Sequence, residues 1–343
     1  MAEYLSYEEI HRQYVSLRQT LDYMLENAGR LINFFREEGD IVFVGSGSSY
    51  WMSLSAHRTM KLKTGRRTYA VKAGDVVLCP DEYKGLYDNP FFICPSRSGR
   101  TRDLLDAMDV FKKAYPGAKI LSIVEYTENE LEGKSDLCIN INWANEKSLC
   151  QTRSFSNLYL ASITLAAIIG GDNAFMEMLK KYLASAPELY ASHEAHIRKL
   201  SDPRAVNSVV TLGGGLQYGV VIEGAYIVIE MAEFSSNYYQ LLEYRHGPIV
   251  TGGQGTAVFI CTGLPEDYER KAAEEIRKTG AKVYAVASKH LDWADYTFSL
   301  NGGYCREILA LHFAFVMQSF AHHFSIARNK NPDSPGDLVP YIV

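Results

Sequence analysis

The chain contains 343 residues, 47% of them hydrophobic, and carries a formal net charge of −5 at pH 7. This content is enough to bury a sizeable core and the length suits two domains, so disordered, fibrous and disulfide-dense classes are excluded. The negative charge argues against a general nucleic-acid binder, which needs excess basic residues on one face. It does not argue against a small phosphorylated ligand, because one phosphate needs only a few local donors.

The cysteines and the apolar runs indicate the cellular compartment of the protein. The six cysteines form no Cys-x-x-Cys pair, and several lie in apolar runs, where a free thiol behaves as a small hydrophobic side chain. The first residues are acidic and lack the basic-then-apolar order of a signal peptide. No apolar run reaches the length of a membrane span. We therefore expect a cytoplasmic protein in a reducing compartment, with no membrane partner.

Hydrophobic periodicity predicts alternating strands and helices along the first half of the chain. Residues 7–38 have the apolar spacing of helices. The elements predicted after them are a strand at 40–44, a turn at 45–49, a helix at 50–62, a strand at 67–71, a connector at 73–80, strands at 89–94, 119–124 and 136–141, and a helix at 154–169. This alternation favours a parallel sheet covered on both faces.

Residues 95–101, the hydroxyl turn, contain three hydroxyl side chains and a glycine between a predicted strand and a predicted helix. Free backbone N–H groups and the positive end of a helix favour an anion there, and serine and threonine add donors. The turn is therefore a candidate phosphate site. The alternative is an ordinary Ser/Thr helix cap, although a cap accounts for one hydroxyl and not for three.

The second half of the chain repeats the order of the first. The predicted elements are a strand at 207–212, a glycine-rich turn at 213–215, helices at 219–234, 266–279 and 308–327, and strands at 256–261 and 282–287, with a helical bridge at 176–200 before them. Matching elements are separated by nearly constant offsets, so we infer one α/β unit present twice. The second copy has no Ser-x-Ser-Gly-x-Thr sequence, and only the first copy is expected to bind phosphate.

The second copy offers candidate acid/base residues instead. Glu223 and Glu230 are seven residues apart on one face of an apolar predicted helix. Burial would raise the pKa of such a carboxylate towards the range useful for proton transfer, whereas an ion pair with a nearby Arg or Lys is the structural alternative. His246 precedes Gly-Pro and is expected on a loop, where a histidine is either solvated or part of an acid/base pair.

Four motifs in this order resemble those of the sugar isomerase (SIS) domain proteins that carry two α/β copies. This group includes the isomerase half of glucosamine-6-phosphate synthase, fructosamine-6-phosphate deglycases and galactosamine-6-phosphate deaminase/isomerases. The resemblance covers about residues 30–343. The motifs are the glycine turn at 44–50, the hydroxyl turn, the segment 146–155 that resembles a sugar-lining segment, and residues 222–225 through 245–248.

The resemblance implies a fold class and a set of domains. We expect an α/β protein of two tandem SIS-type parallel-sheet sandwich domains with flanking helices. The predicted boundaries are an N-terminal helical segment at 1–29, a first, phosphate-binding SIS domain at 30–175, a helical bridge at 176–200, a second SIS domain at 201–330 and a tail at 331–343. Substrate specificity is expected in loops such as 75–88 and 235–242.

The resemblance also assigns roles to residues. It implies that Glu230 moves a proton between C1 and C2 of the sugar, and that His246 assists ring opening or protonates the leaving group. Since that histidine reaches a neighbouring subunit's site in several members, a homodimer or a higher homo-oligomer is implied. The expected phosphate contacts are Ser49, Ser96, Ser98 and Thr101, supported by Ser48, and the expected substrate-lining residues are Gly47, Arg97, Gln151, Thr152 and Glu223.

One difference from the synthase motifs limits the reactions that we expect of this chain. Pro340 stands where the resemblance places the imine-forming lysine, and the chain has no N-terminal Cys nucleophile or glutaminase domain, so we expect no glutamine-dependent synthesis. The expected activity is deglycation or deamination with isomerisation of an amine-bearing hexose 6-phosphate, with release of the amine. A plain aldose–ketose phosphosugar isomerase and a non-catalytic sugar-phosphate sensor remain as alternatives.

No cofactor or metal is expected, because proton transfer beside a carbonyl or imine needs only a carboxylate and a hydrogen-bond donor. His193 and His196 have helical spacing but no evident Cys or Glu partner, which predicts exposed helix histidines. His322 and His323 are likewise expected to be structural.

Overall fold

A computed structural model of the chain describes residues 4–339, 341 and 342. The helices are α1 (Leu5–His11), α2 (Gln13–Glu26), α3 (Ala28–Phe34), α4 (Ser48–Thr64), α5 (Ala73–Leu78), α6 (Arg102–Ala114), α7 (Arg153–Gly170), α8 (Asn173–Leu200), α9 (Tyr218–Ala232), α10 (Glu266–Lys278) and α11 (Arg306–Ala327). The strands are β1 (Ile41–Gly45), β2 (Thr68–Lys72), β3 (Phe91–Ser96), β4 (Lys119–Val124), β5 (Leu137–Asn140), β6 (Ser208–Gly213), β7 (Ser236–Gln240), β8 (Thr256–Cys261), β9 (Lys282–Ala287) and β10 (Tyr296–Ser299). The α/β class expected from the sequence is confirmed.

The described residues form two compact units that alternate along the chain. The first-sheet unit comprises residues 13–146, 153–180, 339, 341 and 342, and contains β1 to β5. The second-sheet unit comprises residues 4–12, 147–152 and 181–338, and contains β6 to β10. Short segments from the start and the middle of the chain therefore fold with the second half.

The first-sheet unit has a parallel sheet in the order β2-β1-β3-β4-β5. Alternate residues of its central strands pack on α5 and α6, and α4 and α7 cover the opposite face. β1 and β3 are buried on both faces, which explains why their sequences are mainly continuous apolar runs rather than alternating ones.

The second-sheet unit has the equivalent order, β7-β6-β8-β9-β10, and all its strands are also parallel. One face packs on α10, and the other is covered by α9 and α11. The common strand order confirms the internal repeat that the sequence predicts.

Three local predictions are wrong. The expected connector at 73–80 contains α5, because Ala73 and Val76 supply a small apolar face that packs beside α6. The expected loop at 235–242 contains β7, an edge strand that pairs only with β6 and so tolerates a polar sequence. His193 is buried rather than exposed, because its face of α8 packs against Phe298.

Two further expectations concern thiols and membranes. All six cysteines are free, as their spacing predicts. Within the described residues, no helix combines the length and the apolar composition needed to cross a membrane.

Candidate functional site

The strand order of the first-sheet unit fixes where a ligand can bind. β1 lies between β2 and β3, so the connections that leave β1 and β3 run to opposite sides of the sheet. In parallel α/β sheets this switch point opens a crevice at the carboxyl ends of the two strands. The glycine turn follows β1 and the hydroxyl turn follows β3. The fold therefore brings both predicted phosphate motifs to one edge.

The glycine turn allows α4 to begin directly after β1. A Cβ atom on Gly45 would lie 2.8 Å from the backbone of Ser49 and Tyr50, so the turn can be this tight only with glycine. Ser48 and Ser49 are the first residues of α4 and are both buried. Ser46 also has a buried hydroxyl, which has no hydrogen-bond partner within the described residues. The turn thus supplies hydroxyl donors beside a helix N-terminus.

The hydroxyl turn uses its serines as acceptors for its own backbone. The Ser96 Oγ accepts the N–H of Gly99 at 3.1 Å, and the Ser98 Oγ accepts the N–H of Arg100 at 3.1 Å. Each hydroxyl still has its own hydrogen to donate. Thr101 is the N-cap residue of α6, but its side chain makes no capping hydrogen bond. The helix-cap interpretation is therefore wrong for Thr101, and three hydroxyl hydrogens remain available to an anion.

The end of the chain lies against this turn. The carbonyl of Ile342 accepts the N–H of Arg102 at 3.1 Å, and the Arg100 guanidinium contacts the Tyr341 hydroxyl at 3.5 Å. One of the N-terminal N–H groups of α6 is thus already bonded, so hydroxyl groups must supply more of the anion's contacts. Pro340, which the sequence sets against the imine-forming lysine, lies outside the described residues.

A network of buried polar residues contacts the hydroxyl turn and the end of β4. Arg97 is 5% exposed and forms an ion pair with Glu146 at 3.7 Å. Its carbonyl accepts the N–H groups of Glu125 and Tyr126, which ties the turn to the end of β4. The sequence predicts that Arg97 lines the substrate; its observed contacts hold the hydroxyl turn to Glu146 and to the end of β4.

Glu125 is a member of this network that sequence reasoning missed. One carboxylate oxygen accepts the Ser154 hydroxyl at 2.6 Å, and the other has no hydrogen-bond partner in the described part of the chain. Burial raises the pKa of Glu125 to about 8, the Ser154 hydrogen bond opposes the rise and Glu146 adds to it. The signal in the sequence is a carboxylate that directly follows a mainly apolar, buried strand.

The second-sheet unit holds the predicted acid/base residues. Glu223 is buried on α9, and Glu230 is partly exposed two helical turns further on. His246 is exposed and follows a 3₁₀ helix at Glu243–Arg245, so it lies on a connection as expected. The neighbouring Arg245 is held by Glu275 through two hydrogen bonds of 2.5 and 2.8 Å, which fixes the chain beside His246.

Gln151 and Thr152 belong to a segment, residues 147–152, that is held from several sides within the second-sheet unit. The Glu9 carboxylate accepts the Lys147 N–H at 2.6 Å and the Ser148 hydroxyl at 2.5 Å. The Gln318 amide donates to the Thr152 carbonyl at 2.9 Å. The Gln151 amide oxygen is buried without a hydrogen-bond partner among the described residues, so it is available to a ligand.

The equivalent switch point in the second-sheet unit is occupied by an internal carboxylate. Glu269 accepts the N–H groups of Gly263 and Leu264, both at 2.8 Å, in the turn after β8. Burial raises the pKa of Glu269 to about 7, although these two hydrogen bonds oppose the rise. Since the backbone donors of this turn are already bonded, the structure gives a physical reason why only the first copy is expected to bind phosphate.

Comparison with known proteins adds to these observations. No protein-family model matches the chain. The glutamine–fructose-6-phosphate aminotransferase (isomerizing) of Sulfolobus acidocaldarius is 27% identical over 340 residues, which cover 96% of this chain and 55% of that protein. The chain thus spans about half the length of the curated relatives it matches.

Two solved structures share the fold across nearly the whole chain. Glucosamine-6-phosphate deaminase from Thermotoga maritima has a TM-score of 0.78 and 27% identity, covering 94% of this chain and 99% of its own. Tagatose-6-phosphate ketose/aldose isomerase from Escherichia coli has a TM-score of 0.85 and 20% identity, covering 98% and 96%, and shows the fold alone. The sequence relatives and the two parallel-sheet units support the resemblance to the sugar isomerase (SIS) domain family.

Proposed function

We propose that this chain is a phosphosugar enzyme that transfers a proton between C1 and C2 of an amine-bearing hexose 6-phosphate and releases the amine. The observation that carries the proposal is the hydroxyl turn at the switch point of the first sheet, where no described residue accepts the hydroxyl hydrogens of Ser96, Ser98 and Thr101. The relatives support the phosphosugar class, since they are named as an aminotransferase, a deaminase and an isomerase of hexose 6-phosphates.

In this proposal the phosphate supplies binding free energy, and the reaction takes place at carbons C1 and C2, away from the phosphate. Ser49, Ser96, Ser98 and Thr101 bind the phosphate, and Ser48 supports them. Hydrogen bonds to a charged group are each worth about 1.5–3 kcal/mol, so a few of them anchor the substrate and orient its chain. The rest of the substrate is lined or supported by Gly47, Arg97, Gln151, Thr152 and Glu223.

Glu230 is proposed as the base that moves the proton, with His246 as the acid that protonates the departing nitrogen or the ring oxygen. Removal of a proton beside a carbonyl or an imine requires a carboxylate held at the carbon. The developing oxygen or nitrogen charge requires a donor, which an imidazolium supplies. The substrate's own carbonyl takes up the electrons, and reprotonation of the neighbouring carbon leaves the nitrogen as an imine of the sugar. Water adds to the imine carbon and the amine leaves as the new carbonyl forms, so this route needs no imine with a lysine.

His246 is also proposed to serve the site of a second copy of the chain. It is exposed, and the large apolar side chains of Leu242 and Val250 near it are 38% and 83% exposed. Apolar exposure around a candidate catalytic residue fits a surface that a partner subunit covers.

Mixing the inactive variants Glu230→Gln and His246→Asn should restore part of the activity, because mixed dimers regain one complete site. No recovery from a mixture shown to exchange subunits would rule this arrangement out.

The function is tested with a panel of fructosamine, glucosylamine and 2-amino hexose 6-phosphates, together with ketose and aldose 6-phosphates that lack nitrogen. Free amine or ammonia and ketose formation are measured in the same reaction. We expect amine release from at least one nitrogen-bearing substrate, and its loss by about 10²–10⁴-fold in Glu230→Gln. Glu233→Gln, three residues further on and paired with Lys330, is the matched control and should keep full turnover.

The second candidate is a plain aldose–ketose phosphosugar isomerase, because the same glutamate and histidine serve that reaction. Ketose formation without amine release would establish it, while ligand binding without any product across the panel would instead support a sensor.

A further inference from the structure

Three polar side chains that the proposed chemistry does not use converge where α1, α8 and α11 meet in the second-sheet unit. The Nε2 atom of His11 lies 2.5 Å from Oε2 of Glu194, and the Nε2 atom of His323 lies 2.8 Å from Oε1 of the same carboxylate. The three side chains are only 12%, 17% and 9% exposed. One candidate ligand atom from each residue lies within 4.8 Å of the others.

The His11 ring is oriented as metal-binding histidines are. Its Nδ1 atom lies 2.9 Å from the Tyr7 carbonyl, which can only accept, so Nδ1 carries a hydrogen. This bond to a backbone carbonyl fixes the ring and directs Nε2 towards Glu194, an outer-shell arrangement typical of metal-ligating imidazoles. Because Nε2 also faces a carboxylate oxygen at 2.5 Å, a proton must lie between these two atoms when no ion is present. A cation would take the place of that proton.

The Glu194 carboxylate already has a positively polarised group at each oxygen, since Oε2 faces His11 Nε2 and Oε1 faces His323 Nε2. The Ser319 Oγ lies 3.3 Å from His11 Nε2 and 3.4 Å from Glu194 Oε2, beside the position of a fourth ligand. Arg198 also contacts Glu194 at 3.2 Å, but its side chain is 60% exposed and can move into solvent.

We propose that His11, Glu194 and His323 bind one divalent transition-metal ion, with zinc as the best match and water or Ser319 as the fourth ligand. Two imidazoles and one carboxylate suit zinc and its neighbours, whereas calcium and magnesium prefer oxygen ligands alone. Ligand atoms around tetrahedral zinc lie about 3.3 Å apart at metal–ligand distances near 2.0–2.1 Å. The two Nε2–Oε distances therefore need to open by less than about 1 Å to admit the ion.

The position of the cluster indicates a structural role for the ion. His11 is the last residue of α1, whose Glu9 holds Lys147 and Ser148, and Asp333 binds the first N–H groups of the same helix. An ion at His11 would join α1 to α8 and α11 at its other end. We expect bound metal to raise the melting temperature, and this expectation holds whichever substrate the protein uses.

The test is metal binding by the full-length protein after removal of metal with a chelator. Titration calorimetry with Zn²⁺, in two buffers of different ionisation enthalpy, should give one ion per chain and the release of about one proton or more per ion. Zn²⁺ should raise the melting temperature, whereas Mg²⁺ should not. Glu194→Gln and His323→Asn should each weaken binding by about tenfold or more. His290→Asn, which removes an exposed histidine of the same unit, should bind zinc as the wild type does.

Two results would overturn the proposal. One is no stoichiometric zinc binding by the wild type. The other is equal binding by His323→Asn and the wild type, which would show surface histidines to be the ligands. If the variants do not fold, X-ray absorption of zinc-loaded wild-type protein decides the question: two imidazole ligands and oxygen support the site, and any other ligand set refutes it.

Discussion

The buried Glu125 carboxyl, which lies in the polar network next to the hydroxyl turn, should make the stability of the protein depend on pH. Its folded-state pKa of about 8 exceeds its ordinary value of 4.5, because burial disfavours the carboxylate. The folded protein therefore binds this proton more tightly than the unfolded chain does. The associated stability is fully present below about pH 4.5 and is lost as the pH rises towards 8.

The size of the effect follows from the two pKa values. Between pH 5 and pH 8 the loss amounts to about 3–4 kcal/mol, since each pKa unit of differential binding corresponds to about 1.4 kcal/mol. Glu125→Gln has no ionisable group and should not show this loss. In a unit of this size, 1 kcal/mol shifts the melting temperature by about 2–4 °C. The wild-type melting temperature should thus fall by roughly 10 °C more than that of the variant.

The assay is differential scanning calorimetry of both proteins at pH 5, 6, 7 and 8. Glu188→Gln, which changes an exposed carboxylate on α8, is the control and should follow the wild type. Parallel pH profiles for Glu125→Gln and the wild type would refute the reasoning, because they would mean that Glu125 titrates alike in the folded and unfolded states.

Three further predictions concern the two switch points. Ser98→Ala should raise the KM for the sugar phosphate by about tenfold or more through loss of one charged hydrogen bond, while Ser192→Ala, at an exposed serine, should not. Gly99→Ala should weaken phosphate binding and lower stability by about 1 kcal/mol or more, since Gly99 has φ +60° and a Cβ would meet Asn129 at 2.8 Å; an unchanged Kd and melting temperature would contradict this. Glu269→Gln should lessen the fall in melting temperature between about pH 5 and pH 7, because its pKa is raised to about 7, and an unaltered fall would contradict that assignment.

Much of the fold was predictable because its strands are buried on both faces. The runs at 41–44, 91–94 and 257–261 are continuous and apolar, and such runs indicate strands without any tertiary information. The hydroxyl turn was predictable as well, since strand, hydroxyl-rich turn and amphipathic helix are local features. The repeat followed from the nearly constant spacing of these runs.

The rest depends on contacts between residues distant in the chain. β7 has a polar sequence, and only its pairing with β6 makes it a strand. The network of Glu125, Glu146 and Ser154 joins three separate elements, so periodicity within one element cannot reveal it. His11 and His323 meet Glu194 only because α1 folds with the second half of the chain, and no spacing in the sequence predicts that association.

In the proposed reaction, Glu230 moves a proton on a sugar whose phosphate the hydroxyl turn binds. The most direct measurement is NMR of a responsive hexose 6-phosphate in D₂O with the wild type, Glu230→Gln and Glu233→Gln. We expect deuterium at C1 or C2 with the wild type and with Glu233→Gln, whereas Glu230→Gln should bind the substrate without exchange. Exchange by Glu230→Gln at the wild-type rate would contradict the proposed reaction.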